Sequence, residues 1–365
     1  MAGTRTTSLH DRHLSLGARM GDFAGWDMPL QYTSPRAEHM AVRTACGVFD
    51  VSHMGQIEVS GPEAREFLAW ALTNDIREIG PGQGQYTLML DDDGGVIDDL
   101  IVYALLDRFL LVVNAGNVAA CRERLLDGAA GRDLTVSDRS DEVAMLALQG
   151  PAWAGVVAPL AGTPGPLNLE YFEVTEDQIA GVPALIARTG YTGEPGIEIM
   201  CPWDHAPRLW DALMAGGAVT PCGLVSRDTL RTEMGYPLYG QELARDRTPV
   251  EAGVLWACDT EGARFAGAET VLRQMRDGTE QKLCAFELTE PGIPRPGLTV
   301  LHEGAPVGTV TSGTLSPVLE RGIGMAYVRA DLARSGNDIV IDVRGRPRTA
   351  RTAKRPLVAR SPRND

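Results

Sequence analysis

One order of elements occurs twice in this chain, and that repetition constrains the fold more than any other feature. From Gly94 to about Gly131 the sequence GGVIDDLIVYALLDRFLLVVNAGNVAACRERLLDGAAG reads as a strand over Val96 to Leu105, a tight turn at Asp107 and Arg108, and a strand over Phe109 to Val113. A helix follows from near Asn114 to Asn117, with apolar residues at Val118, Cys121, Leu125 and Leu126 in the rhythm of one buried helical face. From Val182 to about Gly217 the order returns: a strand over Ala184 to Arg188, a Gly-rich loop, a strand over Gly196 to Cys201 and a helix from about Asp204. Each unit has a sheet face and a helix stripe to bury. Two such units predict two related α+β halves around one core.

After Glu261 the texture changes. Leu283 to Leu288, Leu298 to Leu301, Ala305 to Thr311, Gly322 to Tyr327 and Asp338 to Val343 are short strand candidates separated by Gly and Pro, which predicts a small β-barrel or sandwich. The division is expected between about Ala268 and Glu280, giving a core over 1–275 and a C-terminal β-domain over 276–365.

The chain has 365 residues, 44% hydrophobic and 22% charged, the balance of a globular protein of two or three domains. No apolar run approaches the roughly 20 residues of a membrane helix, since Leu100 to Val113 is broken by Asp107 and Arg108. The amino terminus lacks the apolar segment of a signal peptide, so a cytoplasmic setting is expected. The formal net charge of −14 disfavours nucleic acid as a partner. From Arg344 to Asp365, however, there are eight basic residues and one acidic. That tail either docks an acidic partner or the carboxylates of a ligand, or is a solvated, partly frayed terminus.

Several chemistries lose support. The only lysines are Lys282 and Lys354, neither in a setting that suggests a Schiff base, so pyridoxal phosphate is not expected. Six cysteines, at 46, 121, 201, 222, 258 and 284, form no C-x-x-C pair and read as small buried hydrophobes in a reducing compartment. His10 and His13 are spaced for a metal but have no third ligand nearby, so both are expected at the surface and no metal is expected. Phosphate-loop, dinucleotide, G-x-S-x-G and H-E-x-x-H patterns are all missing from the sequence.

Two places carry acids inside apolar strands. In VIDDLIVY, Val96, Asp98, Leu100 and Val102 share one face, and Ile97, Asp99, Ile101 and Tyr103 the other. Either at least one carboxylate lies near the core and finds its partner in a substrate, or the acids finish the turn DDDGG. Glu198, in GIEIMC, either accepts two N–H bonds from a cyclic amidine or aminopyrimidinone, or points outward from an alternating strand.

The blocks DFAGWDMPLQY (Asp22 to Tyr32), GVFDVSHMGQIEVSGP (Gly47 to Pro62), GGVIDDLIVY (Gly94 to Tyr103), VVNAGN (Val112 to Asn117), GYTGEPGIEI (Gly190 to Ile199), SRDTLRTEMGYPLYGQEL (Ser226 to Leu243) and TSGTLSP…GIGMAYV (Thr311 to Val328) resemble the aminomethyltransferase, or T-protein, family of the glycine cleavage system. The resemblance implies a folate-binding α+β core of related halves with a C-terminal β-barrel, arranged as a cloverleaf. It also implies transfer of an aminomethyl group from the lipoyl arm of H-protein to tetrahydrofolate, with ammonia released. On it, Asp98 matches the catalytic carboxylate, acting either by stabilising positive charge at the transferred carbon or by orienting and deprotonating the attacking amine. Asn114 matches a folate contact beside it, Met54 lines the same cavity, Glu198 reads the pterin edge with Tyr191 near it, and Arg227 matches a folate contact suited to a carboxylate or the polar end of the ligand.

Two departures stand out. Pro195 replaces an Asp common in the family's loop, and the tail lacks the family's terminal aromatics, which leaves Arg355 or Arg360 as candidates to meet the folate tail. The competing expectations are a folate-dependent demethylase of a small methylated compound and a non-catalytic folate-binding homologue. The latter relatives carry K-G-C-Y-x-G-Q-E, of which only Tyr239-Gly240-Gln241-Glu242 is present here.

Overall fold

Both expected strand pairs form, and each lies within a larger sheet, antiparallel throughout except where Thr220–Pro221 runs parallel to Gly47–Asp50. The computed structural model of the chain describes residues 3–343 and 345–360. Val96–Ala104 and Arg108–Val113 pair across the Asp107 turn in a five-stranded sheet of order Gln83–Leu90, Val96–Ala104, Arg108–Val113, Gly55–Ser60, Thr135–Asp138. Val182–Ala187 and Gly196–Pro202 belong to a six-stranded sheet of order Val174–Ile179, Val182–Ala187, Gly196–Pro202, Val143–Gln149, Gly47–Asp50, Thr220–Pro221. The expected helices are Val118–Ala129 and Ala206–Met214, each preceded by a short 3-10 turn.

Period-two alternation then decides where every side chain goes. In the first sheet Leu100, Val102, Leu111 and Val113 pack under helices Ala64–Ala71 and Val118–Ala129. In the second, Leu146, Leu148, Ile197 and Ile199 pack under Trp153–Val157 and Ala206–Met214. The opposite faces meet: Tyr103, Leu110 and Val112 from the first sheet cluster with Met145, Ala147, Ala187 and Met200 from the second. Each Leu, Ile or Val fully buried in these layers contributes about 1.5–3 kcal/mol relative to exposure. A third, three-stranded sheet, Arg5–Thr6, Trp26–Gln31 and Arg19–Phe23, covers one end.

The C-terminal unit is a closed six-stranded barrel. Five of its strands are those expected. The sixth, Arg346–Ala353, closes the barrel by pairing with Asp338–Val343 and Gln281–Leu288, so the frayed-terminus reading fails for this stretch. Its inward positions are the small Ala350 and Thr352 among exposed arginines, a weak apolar signal inside a strongly charged one. The rest of the basic tail includes Arg344 and residues 361–365, which lie outside the described residues.

Helix Leu224–Met234 joins core to barrel. It begins at Gly223, where a Cβ would lie 2.3 Å from the Leu30 carbonyl oxygen, and ends at Gly235 with φ +67°. Glu233 on this helix accepts from Arg43 (2.8 Å) and His39 (3.1 Å) in the core and from the Ser316 hydroxyl and the Val318 N–H beyond it. Arg231 donates to Glu242 (2.9 Å) and to Ser312 of the barrel (2.7 Å).

The histidine expectation needs correcting. His13 is fully buried, with Nε2 2.9 Å from Asp50 and Nδ1 2.8 Å from the Tyr32 hydroxyl, while Thr7 donates to the same Asp50 (2.6 Å). His10 is partly buried against Asp27 at 2.9 Å. Their partners come from strands elsewhere in the chain, which local spacing cannot reveal. All six cysteines are free and buried, as their scatter implied.

Candidate active site

Where the two sheets face each other the layer opens into a cavity of about 370 Å³. The first sheet lines it with Tyr86, Asp99, Ile101 and Val112, followed by Asn114. The second contributes Met145 and Glu198, and the loop before its strand adds Thr189, Gly190 and Tyr191. His53 and Met54 come from the turn after Gly47–Asp50, Phe23 from the small sheet, and Arg227, Asp228 and Arg231 from helix Leu224–Met234. Tyr236 and Trp256 complete the aromatic part of the wall.

Of the six residues expected at a site, Met54, Asn114, Tyr191, Glu198 and Arg227 line this cavity. Asp98 does not: it shares the helix-covered face with Leu100 and Val102 and has no exposed surface. The cavity-facing carboxylate is its neighbour Asp99, on the face of Ile101 and Tyr103. The two acids remain one unit through Asn114. The Asn114 side-chain amide donates to Asp98 (2.8 Å) and to Asp99 (2.9 Å), and its backbone N–H donates to Asp98 (2.8 Å). Asn117 adds a bond to Asp98 (2.6 Å), and the Tyr86 hydroxyl one to Asp99 (3.0 Å).

Burial raises both acids, and the Asp99 charge raises Asp98 further, while Asn117 and Asn114 pull it back; Asp98 comes to about 7. For Asp99 burial is again the largest effect, opposed by the bonds from Tyr86 and Asn114, leaving it at about 6. A pair raised in this way exchanges a proton near neutral pH.

Glu198 sits mid-sheet, opposite Ala147 and Ala187. It accepts from the Thr189 hydroxyl (2.7 Å), which is also bonded to the Tyr103 hydroxyl (3.0 Å). Burial raises its pKa against the opposing charge of Arg227 and the Thr189 bond. Arg227 is lowered by burial, with Glu198 and Tyr191 opposing. Its guanidinium lies 5.0 Å from the Tyr191 ring centroid, and among the described residues its buried Nη1 has no hydrogen-bond partner. Tyr191 stacks on Tyr236, and its hydroxyl donates to the Pro237 carbonyl. Gly193 (φ +78°) permits this loop, since a Cβ there would lie 2.3 Å from the Met234 sulfur. A carboxylate beside a guanidinium whose Nη1 has no partner among the described residues, set between aromatic walls, suits a flat heterocycle presenting N–H donors next to a carbonyl acceptor.

Arg355 and Arg360 are not among the residues that line the cavity. Arg355 donates to the Gly235 (3.4 Å) and Gly253 (3.1 Å) carbonyls, and Arg360 lies 3.4 Å from Glu194. Sequence reasoning missed His53, Tyr86, Arg231 and Trp256 as wall residues. Tyr86 and His53 carry no signal separable from a core position, but YGQEL placed a chain segment near the wall at Tyr239.

The fold and this cavity define a protein with a site for a bound small molecule, and its relatives give its class. Residues 9–262 match the GCVT N-terminal domain and residues 281–358 the glycine cleavage T-protein C-terminal barrel domain. An aminomethyltransferase of Frankia alni is 46% identical over the full length of both chains. One from Bacillus subtilis is 40% identical over 98% of this chain and 99% of that protein. The crystal structure of the glycine cleavage system aminomethyltransferase T from Bartonella henselae superposes with a TM-score of 0.93 at 35% identity, covering 98% of this chain and 99% of that one. The chain belongs to the glycine cleavage T-protein family of aminomethyltransferases.

Proposed function

We propose that this enzyme transfers the aminomethyl carbon from the lipoyl arm of H-protein to tetrahydrofolate, releasing ammonia and giving 5,10-methylenetetrahydrofolate. The observation that carries this is the pairing, in one cavity, of a base-reading carboxylate, Glu198, with a proton-exchanging carboxylate unit built on Asp99. Glu198 and Arg227 hold the pyrimidinone edge of the pterin, with Tyr191 and Met54 as walls. Tetrahydrofolate supplies the two nitrogens that receive the carbon. Asp99 touches the reacting atoms, and Asp98 is a positioning residue that acts on Asp99 through Asn114.

The balance of the reaction defines the task of this pair. Two N–H protons leave tetrahydrofolate; one ends on ammonia and the other on the thiol of the released arm. Asp99, with a pKa near neutrality, accepts and returns them and places a negative charge beside the carbon as it becomes positive. We infer that pyridoxal phosphate is not needed, since neither lysine lines the cavity, and that the transfer proceeds without a metal, on the charge and proton exchange of Asp99. No helix among the described residues is long and apolar enough to cross a membrane, and we place the enzyme in the bacterial cytoplasm, away from membranes and nucleic acid. We also place the division between folate-binding core and barrel at 275/276.

The test is ammonia release from aminomethyl-loaded, lipoylated H-protein with and without tetrahydrofolate. Folate-dependent release at catalytic enzyme concentration, with methylenetetrahydrofolate formed, supports the reading. Tight tetrahydrofolate binding without release would move the donor to a methylated small molecule or leave a binding role alone.

A further inference from the structure

His53 has no assigned role, yet its setting is a built one. It stands on the turn between strands Gly47–Asp50 and Gly55–Ser60, and that turn is fixed from beneath. Asp50 accepts from the Ser52 N–H (2.9 Å), Thr7 and His13, so its carboxylate is filled by other donors. Ser52 is bonded in turn to the backbone of Met145. The imidazole is held edge-on to Phe23, ring centroids 5.4 Å apart, and both rings line the cavity. It is only 4% exposed, and among the described residues its buried Nδ1 has no hydrogen-bond partner. Burial lowers its pKa to about 4, the Arg227 charge lowering it further against Asp50, so the ring is neutral at physiological pH. A neutral imidazole offers one N–H and one lone pair.

Arg227 is within electrostatic reach of both Glu198 and His53 and carries its own unpartnered Nη1. The polar wall therefore runs from an acceptor at Glu198 to donors at Arg227 and beyond. A tetrahydropterin can lie against such a wall in two ways. With N3–H and the 2-amino group on Glu198, the 4-carbonyl oxygen falls on the donor side. With the ring turned over, the N8–H falls there instead and opposes a donor.

We propose that His53 donates a hydrogen bond to the 4-carbonyl edge of the bound pterin beside Arg227, and thereby selects the face and direction in which the ring lies. This rests on the folate reading of the cavity. A ring bound the other way round would carry its reacting nitrogen away from Asp99, so His53 is a specificity-determining contact rather than a participant in proton transfer.

The test compares tetrahydrofolate with its 2,4-diamino counterpart, which replaces the carbonyl acceptor by a donor, for binding to wild type, H53F and H53Q by calorimetry. H53F is expected to bind tetrahydrofolate about tenfold more weakly, as for one lost hydrogen bond, with affinity for the diamino compound unchanged and H53Q recovering much of the loss. In the wild type, with histidine labelled with nitrogen-15, the imidazole resonances of His53 should move on saturation with tetrahydrofolate. Equal weakening of both ligands, tetrahydrofolate affinity of H53F within twofold of wild type, or unmoved resonances would overturn the proposal. Failure of the wild type to bind tetrahydrofolate at all would instead overturn the folate reading on which it stands.

Discussion

Replacing Asp99 by Asn separates charge from shape at the reacting end of the cavity. The amide is isosteric, its oxygen can still accept from Asn114 (2.9 Å in the wild type), and the Tyr86 hydroxyl (3.0 Å) can turn to accept from its N–H. What is lost is the negative charge, and removal of a preorganised electrostatic group at a reacting centre costs about 10²–10³ in kcat. Stability should move the other way. The folded-state pKa of Asp99 is raised from 3.8 to about 6, so the fold bears a cost when the group ionises, at most about 3 kcal/mol above pH 6 and none below about pH 4. D99N should therefore melt higher than wild type at pH 8 and equally at acid pH, while turning over far more slowly with KM for tetrahydrofolate little changed. The companion D98N leaves Asp99 in the cavity and removes a neighbouring charge. Its rate should fall only about tenfold, and the acid limb of its kcat/KM profile, which in the wild type falls as pH drops through about 7 to 6, should shift to lower pH. Ammonia release from loaded H-protein and calorimetric melting at two pH values measure all of this. A larger rate loss in D98N than in D99N would refute the division of roles and return the reacting position to Asp98.

Other expectations follow from the same geometry. E198Q replaces an acceptor by a side chain that also donates, so tetrahydrofolate affinity should drop about 30-fold, near 2 kcal/mol, with kcat at saturation within a few-fold; calorimetric titration checks it. R43M removes the guanidinium that meets the buried carboxylates of Glu233 and Glu194 at 2.8 and 3.0 Å, leaving Glu233 to His39 and Ser316 and Glu194 to Arg360; about 3–5 kcal/mol should be lost and the melting temperature lowered by roughly 5 °C. Trp256 is 69% exposed, stacks on Tyr86 at 5.1 Å and lines the cavity, so tetrahydrofolate should change tryptophan emission and W256F should abolish most of that change. With all six thiols buried, a thiol reagent should label the native enzyme far more slowly than the unfolded chain.

The halves and the barrel were legible because they depend on local pattern: apolar alternation in Val96–Ala104 and Gly196–Pro202, and strand-sized runs spaced by Gly and Pro. Alternation also separated Asp98 from Asp99 correctly, but it could not say which face meets helices and which meets the other sheet. That choice is tertiary, and the family resemblance pointed to the buried member of the pair. His13 misled for a related reason: its partners, Asp50 and Tyr32, lie 37 and 19 residues away along the chain, so its spacing to His10 was irrelevant. The barrel strand Arg346–Ala353 hid because its buried residues, Ala350 and Thr352, are small and sit in a stretch dominated by Arg346, Arg348 and Arg351. Glu198 stood out as an acid within an apolar strand, whereas Arg227 came into view only through the family resemblance; both line the cavity.

Helix Leu224–Met234 also limits how this protein can be rearranged. Within one short stretch Arg227 faces the cavity, Arg231 is bonded to Ser312, and Glu233 accepts hydrogen bonds from Arg43 on one side and Ser316 on the other. A fragment ending at the core would keep those charges and lose the hydroxyls that meet them, together with the Leu357 N–H that donates to the Glu233 carbonyl. A barrel exchanged between relatives should therefore carry its Ser312 to Ser316 segment together with a matching helix, because core and barrel share one hydrogen-bonded seam even though each has its own hydrophobic centre.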